Sequence, residues 1–246
     1  MRNFLLKIEY DGSKFVGWQY QKNGVSVQGK IEQALKKIFK THIRVNGAGR
    51  TDKGVHALGQ YANFKINTDI NDKKKFISSI NYFLRNSLIS IIKISSKNLS
   101  FNSRFSAKER TYEYKIINRE SVLSLNKDKA WHIKKKLDLK LLKKGAKILE
   151  GTHDFSTFRA SSCSAKSPIK KMNSIKIKKN GEMITITLKS KSFLQSQVRS
   201  IIGCFIHLST KKWSLNHFNK VFREKKRSNC APLAPAYGLY LKDIKY

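Results

Sequence analysis

The stretch GAGRTDKGVHALG, residues 47 to 59, sets one carboxylate among glycines and cations. Asp52 stands between Arg50 and Lys53, with His56 close behind. Gly47, Gly49, Gly54 and Gly59 permit positive φ and close backbone approaches. A carboxylate in such a loop is held by backbone geometry inside positive charge, the way a protein would present an ionised acid to a polyanion. The chain has 16 Asp and Glu against 51 Lys and Arg, so an acid in this setting needs a reason. A plainer reading also fits, because Asp and Gly are common in turns and a Thr-Asp pair often caps backbone groups.

The residues after the glycines exclude other loop chemistries. A Walker loop needs Gly-Lys-Ser/Thr opening a helix, and a dinucleotide fingerprint needs a helix after its glycines. Here Lys53 is followed by Gly54, and the next segment reads as a strand. No second carboxylate lies close in sequence, so a glycosidase pair is not visible.

Two further residues carry possible chemistry. Arg199 falls on the helix pattern of Val198, Ile201, Ile202 and Phe205 but off its apolar face, sharing its side with Gln195 and Gly203. A lone Arg there is usually a surface residue. Gly203 would admit another backbone closely, which favours an Arg held in a cleft. Tyr112 shares one face of a strand with Tyr114 and Ile116, where an aromatic is more often core than functional.

The elements that must position these residues are set by periodicity. Residues 3 to 10 alternate as a strand ending at Asp11-Gly12-Ser13. Val27, Ile31, Leu35, Ile38 and Phe39 mark a helix face with Ser26 as N-cap. Ile43 and Val45 suggest a short strand into the Asp52 loop, and Tyr61 to Ile66 a strand leaving it. A helix over 72 to 85 and a strand over 88 to 94 complete β-α-β-β-α-β. The second half repeats that order less cleanly: a strand through Tyr112, a helix over 138 to 149, a hairpin around Asn180-Gly181, the Arg199 helix from Leu194, and a closing strand from Leu239 to Ile244. The predicted fold is α+β, with two pseudo-symmetric ferredoxin-like halves, antiparallel sheets and a cleft between the halves. The domains are 1–105 with the Asp loop and 106–246 with Tyr112 and Arg199.

Composition narrows the partners. The 246 residues are 40% hydrophobic and 11% aromatic, the make-up of a packed protein, and the formal net charge is +35. Such charge points to a polyanion, nucleic acid first and an anionic membrane second. Lys far outnumbers Arg, and Ile, Asn, Ser and Phe are plentiful, which also fits drift toward A- and T-rich codons. Charge alone therefore supports an RNA or DNA partner without establishing it. The three cysteines, Cys163, Cys204 and Cys230, form no CxxC or Cys/His pattern, so no metal is expected and reduced thiols are. No run is long and apolar enough to span a bilayer, and MRNFLLKIEYDG is too short an apolar run for a signal peptide. The expected location is cytoplasmic, with no membrane contact.

Several segments in order resemble the tRNA pseudouridine synthase A family: YDGSKFVGWQYQ at 10 to 21, SVQGKIEQAL at 26 to 35, GRTDKGVHALGQ at 49 to 60, RFSAKERTYEY at 104 to 114, DFSTFRASSC at 154 to 163, FLQSQVRSIIG at 193 to 203 and APAYGLYL at 234 to 241. The resemblance covers nearly the whole chain, and GRTDxGVHA is its specific string. It implies isomerisation of uridine to pseudouridine at positions 38, 39 and 40 of the tRNA anticodon arm, by a homodimer without metal or organic cofactor. It matches Asp52 to the essential aspartate, Tyr112 to the tyrosine that stacks on the target base, Arg199 to the arginine that pairs with the aspartate, and Arg50 to the loop arginine that helps extrude the base. Lys53 and His56 join Tyr112 and Arg50 as expected substrate-binding residues. The segment before Arg199 departs from the family's His and Met and reads Gln195-Ser196-Gln197.

These residue types suit that reaction. The N1–C1′ bond breaks, the base turns over, and C5 joins C1′, with no net oxidation and no group lost. A carboxylate can attack C1′ or take the C2′ proton to give a glycal. Either route needs an ionised Asp52, which a guanidinium favours and orients. Unstacking the base costs a few kcal/mol, and stacking it on an aromatic returns about 1–3 kcal/mol.

Overall fold

A computed structural model describes every residue from Met1 to Tyr246. In chain order its elements are β1 (Arg2–Tyr10), α1 (Val27–Phe39), β2 (Asn46–Gly47), β3 (His56–Ile66), α2 (Lys73–Leu84), β4 (Ile89–Lys97), β5 (Glu109–Asn118), β6 (Trp131–Ile133), α3 (Leu139–Leu149), β7 (Gly151–Asp154), β8 (Ile169–Asn180), β9 (Met183–Ser190), α4 (Gln197–Ser209), α5 (Leu215–Arg223) and β10 (Leu239–Lys245). This is a mixed α+β protein with mostly antiparallel pairing and two repeated halves. Contacts divide it into two compact units, Met1–Lys108 with Tyr240–Tyr246, and Glu109–Leu239.

In the first unit, strands run in the order β4-β1-β3-β10. β1 is antiparallel to both β3 and β4, and β10 lies parallel to β3 through Tyr240↔His56 and Leu241↔Ala57. The β-α-β-β-α-β order matches the one that periodicity predicts. Ser26 caps α1 by accepting the Gly29 N–H, and Asp72 caps α2 by accepting that of Lys75. α1 buries Val27, Ile31, Ala34 and Leu35. Phe4, Phe39, Phe64 and Phe76 form an aromatic cluster in this core. Ile43 and Val45 are buried, but the strand they suggested is only Asn46–Gly47, because β2 pairs with β3 at just two positions.

The second unit orders its strands β5-β9-β8-β7, with β6 parallel to β5. The β8–β9 hairpin forms where expected, but its two turn residues are Gly181 and Glu182, with Asn180 paired opposite Met183 and Gly181 at φ 55°. α4 begins three residues later than the periodicity from Leu194 suggested. Leu194 is buried outside it, and its C=O accepts the Gln197 N–H that opens the helix. α5, β6 and β7 have no counterpart among the elements expected from periodicity. The closing strand, expected to complete the second half, groups from Tyr240 onward with the first unit, where it pairs with β3.

Candidate active site

Asp52 sits in the irregular connection from β2 to β3. Its C=O accepts the Val55 N–H (3.2 Å), closing a turn whose third residue, Gly54, has φ 79°. A type II turn requires that positive φ, and glycine adopts it without a Cβ penalty. Asp52 is half-buried, while Arg50 and Lys53 on either side are exposed.

The segment from Tyr10 to Trp18 braces this turn. The Tyr10 hydroxyl shares a hydrogen bond with Thr51 Oγ1 (2.8 Å), and the Trp18 N–H donates to the Thr51 C=O (3.1 Å). Thr51 is thus held by side chain and backbone, and it is buried. Gly17, at φ 123°, admits the same carbonyl, since a Cβ there would lie 2.6 Å from Thr51 O. Gly12 makes room for Val55 in the same way. On the other arm of the loop, Gln60 Nε2 donates to the Gly49 C=O (2.8 Å), and the Ala48 N–H donates to the Tyr61 C=O (2.7 Å). These contacts fall on residues flanking Asp52, so the backbone is fixed on both sides of the carboxylate.

His56 was expected among the substrate-binding residues, but the structure encloses it. Its side chain is 2% exposed and stacks on Tyr240 with ring centroids 4.8 Å apart. The Gly12 N–H donates to its Nδ1 (3.0 Å), which in the neutral ring puts the proton on Nε2. An Asp11 carboxylate oxygen lies 3.0 Å from the same Nδ1 and would accept from it, in place of the Gly12 bond, whenever Nδ1 carries a proton. His56 therefore ties β3 to the bracing segment. Burial, with the Asp11 charge second, pushes the Tyr240 hydroxyl up to about 12.

In the second unit, Tyr112 lies on β5 opposite Leu188, 8% exposed, with its ring edge-on to Phe193 at 5.1 Å. Phe193 leads into α4, whose first turn carries Arg199. Arg199 is half-buried. Its Nε donates to the Ala234 C=O (2.8 Å), and the Ala234 N–H donates back to the Arg199 C=O (3.2 Å). Gly203, one turn on, meets the Pro232 carbonyl where a Cβ would stand. The close backbone approach read from Gly203 is thus made by residues 232–234. This strap continues to Pro235, whose C=O accepts from the Tyr114 hydroxyl (2.8 Å), and to Gly238, packed against the Tyr114 ring. Burial pushes the Tyr114 hydroxyl far up, against the opposing charge of Arg199. One strap therefore serves both the Arg199 helix and the Tyr112 strand.

The structure gathers Arg50, Asp52 and Lys53 on one loop of the first unit, and Tyr112 and Arg199 on linked elements of the second. It also shows supports the residue types did not announce. Ala234 acts through its carbonyl, which any residue has. Tyr10, Gly12, Gly17 and Trp18 had a signal in the spacing of YDGSKFVGW, but nothing local told which loop that segment braces. No group of three or more His, Cys, Asp or Glu has a geometry to hold a metal, and no helix is long and apolar enough to cross a membrane.

Comparison with known proteins gives the class of this α+β chain. A family model described as tRNA pseudouridine synthase matches residues 7–106 and 146–246, and the chain belongs to that family of isomerases. Over its whole length it is 50% identical to a protein named tRNA pseudouridine synthase A from Pelagibacter ubique (strain HTCC1062), covering 100% of both chains. It is 40% identical to the protein of that name from Afipia carboxidovorans, again over 100% of both chains. With that from Maricaulis maris it shares 39% over all of this chain and 98% of the relative.

Proposed function

We propose that this chain converts uridine to pseudouridine at positions 38 to 40 of the tRNA anticodon arm, with Asp52 as the catalytic carboxylate. The observation that carries this reading is the bracing of the Asp52 turn. Thr51 is locked by Tyr10 and Trp18, Gly54 supplies the turn, and the half-buried acid lies between two exposed cations. Pre-organisation of that kind serves a reaction in which one atom must be met at a fixed place. The net charge of +35 supports a polyanionic substrate.

Each site residue has a distinct role in this proposal. Arg50 and Lys53 meet phosphates beside the target, and Arg50 fills the space the base leaves. The base stacks on Tyr112, whose ring is steadied edge-on by Phe193. Arg199 pairs with the Asp52 carboxylate while Ala234 holds its Nε. Asp52 then either attacks C1′, releasing N1, or takes the C2′ proton. After the base has turned, C5 bonds to C1′ as the Asp52–C1′ bond breaks in the first route, or as C2′ regains its proton in the second, and the C5 proton is lost to solvent as N1 gains one. A deuterium at C2′ separates the routes, because only proton removal there gives a primary isotope effect. His56 works from within as a tie between β3 and the bracing segment. The protein acts as a cytoplasmic homodimer in this proposal, a state that sedimentation of the purified chain measures.

The test is to incubate an unmodified tRNA transcript with the protein and map pseudouridine by mass spectrometry. Conversion confined to positions 38 to 40 supports the proposal. Conversion elsewhere contradicts the assigned site, and tight binding with no converted base contradicts catalysis.

A further inference from the structure

The three thiols look unrelated in sequence, yet two of them meet. Cys204 on α4 and Cys230 have sulfurs 3.4 Å apart, and both are free thiols. Cys204 is fully buried and Cys230 is half-buried, so a small oxidant reaches the second first. Around Cys230 the setting is cationic and polar. Arg227 Nη1 donates to Ser200 Oγ (2.8 Å), and the Cys230 thiol lies 3.9 Å from the Ser200 C=O. The contact shared with Cys204, and after it the Arg227 charge, holds the Cys230 thiol below its ordinary value, whereas Cys204 is pushed up. The more accessible Cys230 is therefore placed to act as the nucleophile, with the enclosed Cys204 beside it as the resolving thiol.

We propose that Cys204 and Cys230 form a peroxide-oxidised dithiol whose internal disulfide staples the 230–234 strap onto α4. In the first step the Cys230 thiolate attacks one oxygen of a hydroperoxide. The O–O bond breaks, Cys230 becomes a sulfenic acid, and hydroxide (or alkoxide) leaves to take up a proton. In the second step the Cys204 sulfur attacks the sulfenic sulfur, the S–O bond breaks, and water leaves. Two thiols and one hydrogen peroxide thus give one disulfide and two waters. Closing the gap to a bonded distance of about 2.05 Å is a small movement, taken up by the strap rather than by the buried helix. The strap is the segment whose Ala234 carbonyl holds Arg199 and whose Pro232 carbonyl rests on Gly203. Oxidation would therefore fix a non-helical support of that guanidinium. Cys163 is buried elsewhere, with its sulfur accepting from the Gln195 N–H, and is the internal control.

The test uses the full chain, reduced and then treated with equimolar hydrogen peroxide before alkylation and peptide mapping. The expected result is loss of two of the three thiols, a cross-linked peptide pair containing Cys204 and Cys230, and full recovery with dithiothreitol. Cys163→Ser should keep the cross-link. Cys204→Ala should lose it and accumulate a Cys230 sulfenic acid that dimedone traps. The proposal is overturned if wild-type protein gives no Cys204–Cys230 link, if Cys163 is oxidised as fast as Cys230, or if the link joins two chains. Mapping on the wild-type protein decides the question even if a variant folds poorly.

Discussion

In the first unit the proposed catalytic acid rides on a turn between two strands, whereas in the second the guanidinium proposed to pair with it rides on the opening turn of a helix. The Asp52 turn has no periodic structure of its own. Its shape comes from a distant segment, Tyr10 to Trp18, that closes on it through hydrogen bonds and two glycine contacts. Arg199 has a helix beneath it and is held from outside that helix by the Ala234 carbonyl. Both supports depend on a glycine that admits a backbone carbonyl, Gly17 to Thr51 and Gly203 to Pro232. The difference is that Gly17 also holds a positive φ and Gly203 does not. The loop is thus shaped by its own turn and by tertiary contact on both flanks, and the helix residue is steadied by a strap.

Substituting the two glycines breaks the comparison most directly. Gly17→Ala should strain the backbone at φ 123° and push against Thr51, costing roughly 1–3 kcal/mol of stability. A displaced Asp52 turn should lower turnover by about 100-fold. Gly203→Ala gains helix propensity of up to about 1 kcal/mol but sets a Cβ onto the Pro232 carbonyl, so stability should fall by roughly 1–3 kcal/mol less that gain, while the strap shifts and turnover falls. Denaturant unfolding alongside single-turnover kinetics reads both. Unchanged stability and turnover at either site would contradict the close carbonyl contact there.

Arg199→Lys keeps the charge but removes the Nε donor to Ala234. Turnover should drop by about 10- to 100-fold with RNA affinity nearly unchanged, since a lysine cannot reproduce the fork geometry. A parallel loss in binding would make Arg199 a phosphate contact instead. Tyr10→Phe removes one hydrogen bond to Thr51 and should cost about 1 kcal/mol, with a few-fold loss in turnover. No kinetic change would mean that Trp18 alone fixes the turn.

The smallest effect concerns alkaline pH. Tyr61 is pushed up to about 12 by burial and then by Asp243, and Tyr240 to about 12 by burial and Asp11, against an ordinary value of 10.0. Between those values the unfolded tyrosines lose protons that the folded ones keep. Stability contributed by both groups is present below pH 10 and declines as pH rises toward 12. Tyr61→Phe and Tyr240→Phe should each flatten that slope in pH-dependent unfolding, and an unchanged slope would contradict these shifts.

The Asp52 loop was legible in sequence because its chemistry is local: glycines, cations and one acid within a few residues. Ser26 and Asn180-Gly181 were legible for the same reason, as caps and turns are short-range. Arg199 was legible through Gly203, a gap in a helix face that implied a visiting backbone. The identity of that visitor was not, because a carbonyl carries no residue type. α5 was missed because nine residues make too few turns for periodicity to stand out, although Phe218, Val221 and Phe222 are buried on its inner face. The meeting of Cys204 and Cys230 depends on how the chain returns to α4, which no local pattern records. His56 read as a substrate-facing residue beside Asp52, and only the stack on Tyr240 reveals why it is enclosed. The transfer of β10 to the first unit is likewise a matter of pairing.

The central claim is that the braced carboxylate performs the chemistry. The measurement is tritium release from tRNA labelled at uridine C5, comparing wild type with Asp52→Asn after unfolding curves show both folded. Release by the wild type with a loss of at least about a thousandfold in the variant, at similar RNA affinity, is the expected result. Equal release by the two proteins would contradict the account.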